Sequence, residues 1–189
     1  MASIAPVCEF GWPAANAFLM GVDGSQHSLF QQAGSKGLVI AFICNHCPYV
    51  QAVIARIVRY ASELKDHGVG FVAINSNDSH AYPEDSFANM KLFAASNGFG
   101  FPYLHDADQS AARTYRAVCT PDFFGFNSDL TLQYRGRLDA SRKQHEAPDL
   151  RRDLFEAMLE VARTGRGPRD QIASIGCSIK WKDELTLQS

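Results

Sequence analysis

The strongest apolar run in the chain is Leu38 to Cys44, and the stretch Gly37 to Ile43 is rich in branched side chains. A short run without alternation suits a strand buried on both faces, as in a sheet covered by helices. From Tyr49 the period changes. Val50, Val53, Ile54, Ile57, Val58, Ala61 and Leu64 follow the spacing of an apolar helical stripe, and Arg56, Arg59, Glu63 and Lys65 populate the remaining face. Pro48 suits the first helical turn and Gly68 its end. Val69 to Ile74 is the next apolar run, so the order is strand, helix, strand. Such a βαβ unit favours parallel pairing through a right-handed crossover.

Downstream, the polar stretch Asn75 to His80 offers turn and capping groups, and Pro83 to Asn97 carries Phe87, Met90 and Ala94 on one helical face. A shorter helix is expected over Gln109 to Tyr115. Asp122 to Phe126 and Thr131 to Tyr134 read as strands joined by an Asn127-Ser128-Asp129 turn. A last helix is expected from about Pro148 to Arg163, followed by Gly165, Gly167 and an irregular tail over about 168–189. The pattern predicts an α/β fold with a mixed central sheet.

With 189 residues, 46% of them hydrophobic, the chain fits a single domain over 1–189. Its 20 acidic and 18 basic residues give a net charge of −2, which supplies no bulk attraction to nucleic acid or an anionic membrane. The apolar run is far shorter than the roughly 20 residues of a spanning helix. The first basic residue is Lys36, which leaves no basic segment of a secretory signal at the start. The expectation is a soluble, cytoplasmic protein.

Five cysteines are present, Cys8, Cys44, Cys47, Cys119 and Cys177, and only Cys44-Asn45-His46-Cys47 forms a closely spaced pair. A thiol must ionise before it attacks a disulfide, and a helix N-terminus favours the thiolate. The pair is expected where the buried strand turns into the helix, with Cys44 at the helix mouth and Cys47 one turn further in. Cys47 would then resolve a mixed disulfide formed on Cys44. His46 is placed to stabilise the Cys44 thiolate. Taken by itself, the spacing fits either redox chemistry or half of a zinc site, although no second pair supplies the other two ligands.

Cys44 to Val50 reads Cys-Asn-His-Cys-Pro-Tyr-Val, and Thr120-Pro121-Asp122-Phe123-Phe124 lies downstream. Ile74 to Asp78, Tyr82-Pro83-Glu84-Asp85-Ser86, Phe101 to Leu104, Tyr134 to Arg137 and Gly176-Cys177-Ser178-Ile179-Lys180-Trp181-Lys182 complete the set. Together these strings resemble the thioredoxin-like superfamily, within it the redoxin branch related to alkyl hydroperoxide reductase and thiol-specific antioxidant proteins. The resemblance implies a thioredoxin fold with a helix-containing insertion between its βαβ and ββα halves. It also implies a cis Pro121 facing the cysteine pair, with Thr120 and Pro121 contacting substrate, and Asn45 is expected to join them. Thioredoxin's buried Asp on the strand before the pair has no counterpart in Leu38 to Ile43. The His before the second cysteine is shared with protein disulfide isomerase.

Thiol–disulfide oxidoreductase, reducing, oxidising or isomerising disulfides, is therefore the leading expectation. Its partners would be protein or small-molecule disulfides and a recycling reductant of thioredoxin or glutathione type, with no cofactor and no metal; an oligomer is possible. A peroxiredoxin-like peroxidase is the alternative. The peroxiredoxin pattern Pro-x-x-x-Thr-x-x-Cys is not kept, because counting back from Cys47 gives Cys44 and Ile40, and from Cys44 gives Ala41 and Gly37. A non-catalytic or zinc-binding module is the third possibility. Cys177 is a candidate auxiliary resolving thiol, Cys119 a packing residue near the site, and Arg137 a distant cation read as an exposed strand-end residue. Cys8, His80, His105 and His145 carry no motif. Trp12, Trp181 and the Phe123, Phe124, Phe126 cluster are read as packing.

Overall fold

A computed structural model describes residues 2–141 and 150–183. In chain order its strands and α-helices are β1 (Ala2–Ile4), β2 (Phe18–Gly21), β3 (Gln26–Ser28), β4 (Gly37–Phe42), α1 (Pro48–Gln51), α2 (Ile54–Asp66), β5 (Val69–Asn75), α3 (Phe87–Ser96), β6 (Tyr103–His105), α4 (Ser110–Thr114), β7 (Cys119–Thr120), β8 (Asp122–Asn127), β9 (Leu132–Gly136), α5 (Asp153–Thr164) and β10 (Ile175–Ser178).

All six residues of β4 are buried because the strand is enclosed on every side. β8 pairs with it antiparallel from Gly37↔Asn127 to Phe42↔Asp122. β5 lies against its other edge, where the Ile43 N–H donates to the Ile74 carbonyl at 2.9 Å. Alternate side chains enter two cores. Val39, Ala41 and Ile43 pack with Ile57, Leu64, Leu154 and Met158 from α2 and α5. Leu38, Ile40 and Phe42 pack with Val72, Tyr115, Phe124 and Phe126 on the other face. Both faces need apolar side chains, which removes the period-2 signature.

The strand groups β3-β2-β6-β5 and β4-β8-β9 form the body of the mixed sheet, with β5 and β6 parallel and the other registered pairs antiparallel. The mixed central sheet is as the pattern predicts, and its thioredoxin-like architecture is the one the resemblance implied. The insertion between the halves holds α3 and α4 as expected, and also β6, which extends the sheet beyond β5.

Four features differ from the sequence pattern. The helix expected from Pro48 to its end at Gly68 is divided into α1 and α2 by Val53, whose φ of −120° and ψ of 0° leave the helical region. Arg56, placed on the solvent face by periodicity, is buried; its Nε donates to Asp139 at 2.8 Å and its Nη2 to Ser141 Oγ at 2.6 Å. The helix expected from Pro83 begins instead as a separate 3₁₀ turn, Pro83–Asp85, and α3 starts after Ser86, which caps it by accepting from the Asn89 N–H. The tail expected to be irregular contains β10, which lies between β1 and β7 in a small second sheet. Gly176 makes that approach possible: a Cβ there would stand 2.0 Å from the Thr120 carbonyl oxygen. The expected start of the last helix at Pro148, and His145, lie outside the described residues; α5 begins at Asp153.

Candidate active site

The buried β4 delivers Cys44 into a short loop, and Cys47 is the N-cap residue of α1, extended at φ −69° and ψ 120°, with Pro48 at the first helical position. Cys47, not Cys44, therefore stands at the helix mouth, three residues later than the sequence reading placed it. Thr120 bridges the pair. Its Oγ1 lies 3.2 Å from Cys44 Sγ, and its carbonyl oxygen accepts from Cys47 Sγ at 3.1 Å. The Thr120–Pro121 peptide bond is cis, as the resemblance implied. Both sulfurs are closed off from solvent, Cys44 at 1% and Cys47 at 0% exposure.

A carboxylate from the insertion organises the spacer. Asp85 is fully buried and accepts from the Asn45 N–H at 2.7 Å, the His46 N–H at 3.4 Å and Asn77 Nδ2 at 2.7 Å. His46 Nδ1 lies 2.6 Å from the same carboxylate. On its other side the imidazole stacks on Tyr82, centroids 5.5 Å apart and planes 5° from parallel, and Lys180 Nζ lies 5.7 Å from that phenol ring. In the sequence Asp85 stands within the string Tyr82 to Ser86, with no pattern that marks a role for it. Nothing local separates it from its neighbour Glu84, whose side chain is exposed.

Asn45 is similarly engaged inside the fold. Its Oδ1 accepts from Tyr103 Oη at 2.9 Å and its Nδ2 donates to the Glu84 carbonyl at 2.9 Å. The amide expected to touch substrate is therefore spent on holding the loop.

The two thiols titrate as a unit. The hydrogen bond between them holds the proton on Cys44 and pushes its titration up, with burial and the Asp85 charge acting in the same direction. The same hydrogen bond draws Cys47 down, helped by a hydrogen bond with the thiol of Cys177. Of the two, Cys44 is the thiol held protonated and Cys47 the one drawn toward ionisation. Cys177 itself is pushed up to about 11, by burial first and by its bond to Cys47 second.

Cys119 is fully buried beside Asp122, and burial raises its thiol. Arg137 is not an exposed strand-end residue: its Nε donates to Asp153 at 2.8 Å. It lines a cavity of about 360 Å³ together with Tyr49 and Pro121, a cavity whose wall includes neither paired sulfur. Among the described residues, Cys44, His46 and Asp85 offer sulfur, nitrogen and oxygen atoms within 4.8 Å of one another, three of the four donors of a tetrahedral zinc set.

Asp122, which follows Pro121, is buried against Arg135 with Nη2 to Oδ2 at 2.9 Å. Burial raises its carboxyl from 3.8 to about 6, against the opposing pull of Arg135. The folded protein thus holds this proton more tightly than the unfolded chain, a contribution complete below about pH 4 and lost as pH rises through about 6. Against an Asp122→Asn variant, the wild type is expected to lose about 3 kcal/mol of relative stability across that window. Urea unfolding of both proteins at the two ends checks this; parallel pH profiles would show that Asp122 is already ionised.

Residues 10–135 match the AhpC/TSA family. The chain belongs to that family. Among solved structures, this AhpC/TSA protein is similar to an uncharacterized conserved protein from Geobacillus kaustophilus, at 44% identity and a TM-score of 0.91, covering 97% of this chain and 98% of that one. It is also similar to a hypothetical protein from Sinorhizobium meliloti 1021, at 35% identity and a TM-score of 0.89, covering 95% and 98%. A secreted disulfide oxidoreductase of Mycobacterium tuberculosis, described as homologous to E. coli DsbE, shares the fold at 17% identity and a TM-score of 0.57, covering 76% and 94%. No curated protein matches the chain. The family match ends at residue 135, so Cys177 and the strand that carries it lie beyond the matched part of this AhpC/TSA chain.

Proposed function

We propose that this AhpC/TSA-family protein is a thiol–disulfide oxidoreductase whose working unit is the Cys44–Cys47 pair. One observation carries the reading: Thr120, immediately before Pro121, contacts both sulfurs, one through its hydroxyl and one through its carbonyl. A single residue thus holds the two thiols side by side at the junction of β4 and α1.

The chemistry follows from the shared proton. Cys44 attacks one sulfur of a substrate disulfide while Cys47 takes its proton; a Cys44–substrate bond forms, and one substrate thiolate leaves. Cys47 then attacks the Cys44 sulfur, its proton passing to the departing thiolate. The Cys44–Cys47 bond closes and the second half of the substrate is released. Two electrons have left the pair, and a reductant of thioredoxin or glutathione type restores it. The role of His46 and Asp85 is to hold the loop in this geometry. A cytoplasmic setting, where such reductants are abundant, belongs to the same reading; among the described residues no helix is long and apolar enough to cross a membrane.

The peroxidase alternative has less support, since Cys44 and Ala41 stand where the peroxiredoxin pattern places Thr. Insulin reduction driven by dithiothreitol and hydrogen peroxide consumption, measured on the same preparation, separate the two. Insulin turnover well above the dithiothreitol background is expected. Peroxide turnover without insulin turnover would replace this reading by the peroxidase one.

A further inference from the structure

Cys47 has two sulfur neighbours. β10 pairs antiparallel with β7 so that Cys177 lies directly opposite Thr120, the residue that touches both paired sulfurs. Directly opposed residues of an antiparallel pair project to the same face. Cys177 accordingly packs against the buried cluster that holds Cys44 and Cys47, close enough for the thiols of Cys47 and Cys177 to shift each other's titration. Gly176 lets the two backbones close, since any side chain there would collide with the Thr120 carbonyl. The segment is fixed beyond the strand as well. The Lys180 N–H donates to Asn77 Oδ1 at 2.9 Å, its carbonyl accepts from the Asp78 N–H at 2.8 Å and from Gln109 Nε2 at 2.8 Å, and the Lys182 N–H donates to Gln109 Oε1 at 2.9 Å. Of the three thiols only Cys177 is partly exposed; Cys44 and Cys47 are buried.

We propose that Cys177 is a third redox thiol, which exchanges with the oxidised pair to form a Cys47–Cys177 disulfide and carries the oxidised bond toward the surface. The proposal rests on the reading of Cys44–Cys47 as the working pair. In the step, the Cys177 sulfur attacks Cys47; the Cys47–Cys177 bond forms as the Cys44–Cys47 bond breaks. Cys44 leaves as the thiolate and takes up the proton that Cys177 gives up. No net oxidation occurs, since the two electrons were already delivered to the substrate disulfide. Cys44 is returned to its reduced state, and the bond awaiting the recycling thiol now includes a partly exposed residue. The substrate face and the recycling face of the protein are thereby separated.

The test uses a Cys44→Ser protein equilibrated with oxidised glutathione, quenched with an alkylating agent and mapped by mass spectrometry. An intramolecular Cys47–Cys177 disulfide is expected, and it is lost in the Cys44→Ser, Cys177→Ser double variant. The same map of oxidised wild type is expected to show a population with Cys44 alkylated and Cys47 bonded to Cys177. Alkylation of both Cys47 and Cys177 in the single variant, or separate glutathione caps on each, would overturn the proposal. Insulin turnover by the wild type is read independently. Turnover without the Cys47–Cys177 bond removes the third thiol alone, whereas the bond without turnover supports the third thiol and removes the exchange reading.

Discussion

A Cys44→Ser variant is expected to lose insulin-reducing turnover by on the order of 10³-fold or more, since an alcohol of similar size keeps the packing and removes the attacking sulfur. The Thr120 Oγ1 contact at 3.2 Å can be retained by the serine hydroxyl, so folding is expected to be little affected. Thermal unfolding of the variant separates loss of chemistry from loss of structure. Cys47→Ser is expected to differ in kind. It abolishes steady-state turnover and slows the first attack, since the group that takes the Cys44 proton is gone, yet the adduct that does form on Cys44 is not resolved and accumulates, visible on a non-reducing gel. Adducts gathered through Cys47 in the Cys44→Ser protein, with none in Cys47→Ser, would reverse the two roles. That reversal has a physical basis to be tested, because Cys47 is the thiol whose titration is drawn down.

The second large effect is expected at a residue that need not touch substrate. Asp85→Ala removes the acceptor of two backbone N–H groups and the Asn77 amide, and also the partner of the His46 ring, all within the loop that presents the cysteines. Buried donors stranded without an acceptor each forfeit about 1–3 kcal/mol, so a total loss of about 3–5 kcal/mol is expected. For a chain of this size that lowers Tm by roughly 10 °C or more. Activity is expected to fall as well, because the Asn45–His46 backbone no longer fixes the spacing of the sulfurs. Calorimetry checks the first statement and insulin turnover below the melting range the second. Asp85→Asn is expected to lie between the two proteins, since its carbonyl oxygen keeps part of the acceptor role while its amide opposes the remaining donors. A Tm within about 2 °C of wild type for Asp85→Ala would show that water replaces the carboxylate at little expense.

The division between what was legible and what was not follows the range of each interaction. β4, β5 and α2 announce themselves because a fully enclosed strand and a one-sided helix impose local patterns on adjacent residues. The cysteine pair and the Thr120–Pro121 dipeptide are legible as short strings. Asp85 is not, because its partners Asn45 and His46 stand 40 and 39 residues away and no local periodicity records the meeting. Arg56 illustrates the same limit. Its helical phase placed it on the solvent face, and only Asp139, 83 residues distant, provides for its burial. β10 escaped notice because a four-residue strand containing glycine and serine has little strand propensity; its position comes from close backbone approach to Thr120. The displacement of the helix mouth from Cys44 to Cys47 is a boundary shift of three residues, enough to exchange which sulfur the helix terminus serves.

The central claim is that two enclosed sulfurs make and break a bond in exchange with an outside molecule. Equilibration of the full chain across graded ratios of reduced to oxidised dithiothreitol, followed by acid quench, alkylation and mass mapping, measures this directly. A single reversible two-electron transition is predicted, with Cys47 losing its free thiol as the buffer becomes oxidising and regaining it in full on return. Free thiols at both Cys44 and Cys47 at every ratio, in protein that remains folded, would contradict the account.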